Sequence, residues 1–136
     1  MTGRMQIGEV AERTGLSQRT IRYYGEVGLV PPSSRTEGGF RLFTEDDVAT
    51  LELIKKMKPL GYSLEEMRDV LDLIAELERD PTPGRGDDVT ERLAAIRATA
   101  ASRRDKLAAY LAGAEAFLDE LDHYMPGPTP PSERHG

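Results

Sequence analysis

From Leu93 to Tyr124 one spacing holds without a slip: Leu93, Ile96, Ala100, Arg103, Leu107, Tyr110, Ala114, Phe117, Leu121 and Tyr124 follow alternating steps of three and four. This is the period of a coiled-coil seam, and it predicts one helix over residues 88–125. At about 1.5 Å per residue such a helix is on the order of 57 Å long. The chain ahead of it, residues 1–77, is too small to cover an apolar strip of that length, so a second copy is its natural cover. Arg103 interrupts the seam at one core position, and the small Ala100 and Ala114 leave room in it. The dimerisation residues are therefore Leu93, Ile96, Ala100, Leu107, Tyr110, Ala114, Phe117, Leu121 and Tyr124. The competing reading is a helix folded back on its own head.

The chain before the seam follows a different rule. Ile7, Val10, Ala11 and Thr14 recur at helical spacing until Gly15 breaks the pattern. Ser17 suits the N-cap of a second helix running to about Val27. On that helix Ile21, Tyr24 and Val27 share one side, and Gln18, Arg19, Arg22 and Glu26 share the other. A helix-turn-helix needs this division, with one face on the partner helix and the other free for a DNA groove. A plain two-helix core hairpin has the same amphipathicity. Pro31-Pro32 stops the second helix, and Arg35 to Phe43 then reads as a β-hairpin with Gly38-Gly39 at its tip. Arg35 and Arg41 on that hairpin favour contact with phosphates or the minor groove.

Thr44 with Asp47 resembles a capping box and opens a third helix with the apolar set Val48, Leu51, Ile54, Met57 and Leu60. Pro59 predicts an end or kink near Met57. Lys55, Lys56 and Lys58 cluster there, as either a solvated face or phosphate contacts. Ser63 with Glu66 caps a fourth helix whose expected buried stripe is Met67, Val70, Leu71, Ile74 and Leu77. Residues 78–87, rich in Pro and Gly, read as a linker, and the Pro-rich residues 126–136 as a disordered tail.

The motifs IGEVAERTGLSQRTIRYY, GLVPPSSRTEGGFRLFTEDDV and LGYSLEEM keep an order and spacing similar to the MerR family of bacterial transcription regulators. The resemblance covers roughly residues 5 to 77. It implies a mainly α fold: a winged helix-turn-helix head followed by a coiled-coil dimerisation helix that pairs antiparallel across a two-fold axis. It also implies DNA contacts by Ser17, Gln18, Arg19, Thr20, Arg22 and Tyr23 on the recognition helix, and by Arg35, Gly39, Phe40 and Arg41 on the wing. Lys58 and Tyr62 fall at the second wing, where phosphate contacts are expected. Family members distort promoter DNA to realign its polymerase elements, which makes RNA polymerase a further expected partner. Two positions depart from the family pattern. Gly25-Glu26-Val27 stands where an acidic-basic-acidic triplet is usual, and Phe40 stands where the wing usually carries Tyr.

Net charge is −6, which looks wrong for a DNA binder, but its distribution is uneven. Residues 1–43 hold six arginines against four acids, and phosphate contacts respond to local charge. No cysteine is present, which excludes disulfides, thiolate metal sites and cysteine nucleophiles together. Glu115, Asp119 and His123 share a helical face but read as solvated polar residues, so no metal and no cofactor is expected. With only His123 and His135 available, no catalytic arrangement forms, and the chain is not an enzyme. No apolar run reaches the roughly eighteen residues a membrane span needs, and no signal pattern opens the chain, so a cytoplasmic, nucleoid-associated location follows.

The reading is a homodimeric, sequence-specific transcription regulator that binds double-stranded DNA at a two-fold symmetric promoter site. Two other classes stay open: a DNA-architectural, excisionase-like protein, and a coiled-coil adaptor whose head has lost DNA affinity. The operator, the regulated genes and any small-molecule effector are not specified by the sequence.

Overall fold

The computed structural model describes residues 4–32, 34–79 and 87–127. The order of elements is β1 (Met5–Gln6), α1 (Ile7–Thr14), α2 (Gln18–Glu26), β2 (Ser34–Arg35), β3 (Arg41–Phe43), α3 (Glu45–Met57), a 3-10 turn (Lys58–Leu60), α4 (Leu64–Arg79) and α5 (Asp87–Tyr124). Two compact units divide the chain, the head through Ile96 and the remainder from Arg97.

Local chemistry accounts for the helix ends in the head. Gly15 takes a left-handed conformation (φ 78°) and closes α1, its N–H donating to Ala11 O at 2.8 Å. Thr44 and Asp47 complete a reciprocal capping box on α3, with bonds of 2.9 and 3.2 Å. Ser63 and Glu66 do the same for α4 at 2.9 and 3.1 Å. Pro59 sits in the first positions of the 3-10 turn, and α3 ends at Met57 as its position requires.

The hairpin is part of a three-stranded antiparallel sheet in the order β1-β3-β2. Met5 pairs with Phe43 and Gln6 with Leu42 on one side of β3, while Ser34 pairs with Leu42 and Arg35 with Arg41 on the other. Strand β1 is an addition to the two-stranded hairpin expected from the sequence. Its two residues are too few to show a period, and pairing with β3 is what makes them a strand. Met5 and Phe43 enter the core together with Val10, Ile21, Tyr24, Leu51, Ile54 and Met67.

Two expectations need correction. On α4 the buried residues are Met67, Val70 and Leu73, whereas Leu71, Ile74 and Leu77 are half-buried. The stripe is therefore narrower than the one read off the sequence and takes in Leu73, which the sequence reading left out. The linker is also shorter than expected: α4 continues through Arg79 and α5 begins at Asp87. Residues 80–86 and 128–136, which include most of the linker and the tail, lie outside the described residues.

Helix α5 is continuous over 38 residues. At its start Val89 is buried and Ile96 packs partly against the core of the head. Further along, Tyr110 is 72% exposed, Phe117 60% and Tyr124 84%.

Candidate nucleic-acid interface

The turn between α1 and α2 is locked from within. Buried Thr14 donates its hydroxyl to Val10 O at 2.8 Å and accepts from Leu16 N–H at 3.2 Å. Ser17 then caps α2, accepting from Thr20 N–H at 3.0 Å and donating to the Thr20 hydroxyl at 2.9 Å. Lys55 of α3 donates to the Thr14 carbonyl, so this lysine has a structural partner behind the turn.

With α2 held in this way, Ile21 and Tyr24 are buried, and Gln18, Arg19, Arg22 and Tyr23 are exposed. Arg22 donates to the Gln18 side-chain carbonyl at 3.2 Å, one helical turn away. Two groups able to read base edges are thus ordered side by side on one face. The Tyr23 ring lies 5.6 Å from that of buried Tyr24, at an interplanar angle of 52°, which supports the exposed ring from below. Thr20 is half-buried and faces α3 instead.

The wing has its turn at Thr36–Phe40. Thr36 N–H donates to Phe40 O and Gly39 N–H to Thr36 O, both at 2.9 Å, and the Thr36 hydroxyl accepts from Phe40 N–H at 3.1 Å. Gly39 carries the positive φ (86°) of the pair expected at the tip. Phe40 is 63% exposed at the tip. Arg35 lies on β2 directly across from Arg41.

Arg41 points inward from the wing. It is half-buried, and its Nη1 is buried with no hydrogen-bond partner among the described residues. That atom lies against Gly25 near the end of α2. Lys58 comes to the other part of the helix, lining one groove of about 300 Å³ with Thr20 and Tyr24. Helix α2 therefore has Arg41 against Gly25 near its C-terminal end and Lys58 in the groove shared with Thr20 and Tyr24. Tyr62 is half-buried against the core, a packing residue at the corner that Gly61 (φ 81°) turns.

Two further arginines belong to this surface and carry no motif in the sequence. Arg68 of α4 donates to the carbonyls of Val27 (2.8 Å) and Gly28 (3.4 Å), where α2 ends. A cation there satisfies end carbonyls and favours the helix dipole. Arg4 donates to the Ser34 hydroxyl at 2.8 Å, tying the chain before β1 to β2. Neither could be found by periodicity, since each acts through a partner distant in the chain.

Residues 5–74 match the family model described as MerR HTH family regulatory protein. The HTH-type transcriptional regulator YfmP of Bacillus subtilis is 47% identical over 75 residues, 54% of each chain. The regulator ZntR of Escherichia coli is 38% identical over 93 residues, covering 68% of this chain and 66% of that protein. The chain spans about half the length of the first curated relatives it matches. Among solved structures, the MerR family regulator HiNmlR, lacking the sensor domain and bound to promoter DNA, is similar with a TM-score of 0.66. It is 26% identical, with 89% of this chain and 83% of that one covered.

Proposed function

The chain belongs to the MerR family of helix-turn-helix regulators, and from that premise we propose that it is a homodimeric, sequence-specific DNA-binding regulator of transcription. The observation that carries this reading is the ordered pair Gln18–Arg22 on the exposed face of α2, backed by buried Ile21 and Tyr24. The face reads base edges in the major groove, while the wing and Lys58 meet the backbone. Exposed Tyr110, Phe117 and Tyr124 supply the seam for a second copy, which places two heads on a two-fold symmetric site. None of the described helices is long and apolar enough to cross a membrane.

Distortion of the promoter is the mechanism we assign to the bound dimer, with RNA polymerase as the protein that reads the change. Bending costs free energy that the wing contacts offset, and the cost depends on the sequence being bent. The architectural and adaptor readings find no support among the relatives, which are named as transcriptional regulators.

The test is selection of binding sites from random duplex DNA by the full chain, followed by titration at several salt concentrations and by sedimentation. A two-fold symmetric site bound with a steep salt dependence is expected. Selection that enriches no sequence, or a chain that sediments as a monomer at micromolar concentration, removes the reading.

A further inference from the structure

Among the described residues one buried side-chain polar atom has no hydrogen-bond partner, Nη1 of Arg41. A donor closed off from water and left unpaired costs free energy, and more so when its group is charged. Each element around Arg41 could supply a partner, and none does. On α2 the residue at the contact is Gly25, where an added Cβ would stand 3.5 Å from Nη1, so the helix offers no side chain there. On β2 the residue across from Arg41 is Arg35, a second cation. Glu26 follows Gly25 but is exposed, and no ion pair joins it to Arg41 among the described residues.

The carbonyls at the end of α2 already accept from other donors. Tyr23 O accepts from Val27 N–H at 3.0 Å, Tyr24 O from Leu29 N–H at 2.9 Å and Gly25 O from Gly28 N–H at 3.1 Å. The carbonyls of Val27 and Gly28 accept from Arg68. The head therefore holds a guanidinium at the junction of hairpin and helix and gives it no counter-charge. Nη1 alone of its nitrogens is enclosed without a partner, and the residue as a whole is half-buried. One edge of the planar fork is left for an acceptor from outside. A phosphate oxyanion suits it, since it brings full charge and oxygens spaced for the fork.

We propose that Gly25 sets the affinity of the head for DNA: by bringing no carboxylate to Arg41, it leaves the guanidinium charge for a backbone phosphate. This rests on the DNA-binding reading above and adds to it the residue that decides whether Arg41 is available. A carboxylate at position 25 is close enough to pair with Nη1. Once paired inside the head, the guanidinium has little net charge left to offer a phosphate.

Gly25→Asp and Gly25→Asn differ in charge at nearly equal volume, and each is made in the full chain with Arg41 and with Arg41→Gln. A carboxylate near a helix C-terminus is unfavourable by itself, so a gain in stability reports the pair. With Arg41 present, Gly25→Asp is expected to melt higher than Gly25→Asn. It is also expected to bind the selected duplex roughly tenfold more weakly per head, with a salt slope lower by about 1 per head. In the Arg41→Gln background the two should bind alike. Equal binding with Arg41 present means that Arg41 meets no phosphate, and an equal loss in the Arg41→Gln background means that the new carboxylate repels DNA directly. Either result overturns the proposal, as does a Gly25→Asp variant that melts no higher than Gly25→Asn. Melting in sodium phosphate against sodium chloride at equal ionic strength separates the sources of phosphate. Wild type and Gly25→Asp should respond alike; a rise confined to wild type means a free-anion site and overturns the assignment to DNA. A wild-type chain that binds no duplex overturns the DNA-binding reading itself, while the melting comparison still reports whether the pair forms.

Discussion

A Cβ built on Gly25 stands 3.5 Å from the buried Nη1 of Arg41. The hairpin and helix α2 therefore meet at these two residues, at ordinary van der Waals distance. The same Cβ is 3.5 Å from Val30 O and 3.9 Å from Pro32 Cδ, so an added methyl group has room. Gly25 lies inside α2 and is not among the glycines with positive φ. Gly25→Ala is accordingly expected to stabilise the head by about 0.5–1 kcal/mol through lost unfolded-state entropy. Urea unfolding measures it. A destabilised Ala variant means the wing lies tighter on α2 than these distances state.

Arg22 and Arg41 should separate in two measurements. Arg22→Ala removes an exposed group that can pair with a guanine edge, at roughly 1–3 kcal/mol on the cognate site and with relaxed preference at one base pair per half-site. Its melting temperature should stay near wild type. Arg41→Ala should weaken cognate and scrambled DNA about equally, lower the salt slope by about 1 per head, and reduce thermal stability because a packed side chain is lost. Equal loss on both DNAs for Arg22→Ala assigns it to the backbone and takes base reading away from it.

Arg68 holds the end of α2 from α4. Arg68→Ala is expected to cost about 1 kcal/mol in unfolding, the net value of a hydrogen bond at an accessible site. Lysine at this position should recover only part, because one ammonium cannot match the fork that reaches two carbonyls. Amide exchange at Val27 and Gly28 should rise in the Ala variant. Unchanged exchange there means the bonds do not hold the helix end.

The pair Arg13–Glu45 joins α1 to the start of α3 with two bonds of 2.7 Å. The hydrogen bond from Arg13, with its charge adding, holds the Glu45 carboxyl below the ordinary glutamate range despite some desolvation. A carboxyl depressed in the folded state contributes stability above its unfolded pKa and loses it as pH falls through the folded value. Wild type should thus be slightly more stable than Glu45→Gln at neutral pH, with the difference vanishing on acidification below the folded value. Both partners are exposed, so the effect is small and screened by salt. A difference that persists at low pH means the effect is not ionic.

What the sequence determined by itself was the set of features whose cause lies within a turn or a repeat. Ser17, Thr44 with Asp47, and Ser63 with Glu66 start their helices through bonds three residues long, and Gly15 ends one. The polar face of α2 and the stripe of α5 follow from helical periodicity, which needs no knowledge of neighbours. Tertiary structure alone decided the rest. Met5 and Gln6 became a strand because Phe43 and Leu42 lay ready to pair, and two residues show no period. Arg41 turned toward Gly25, Lys55 reached the Thr14 carbonyl and Arg68 reached Val27 because packing brought distant backbone within range of long side chains. Length and charge make an arginine able to do any of these things, and only the fold selects its partner.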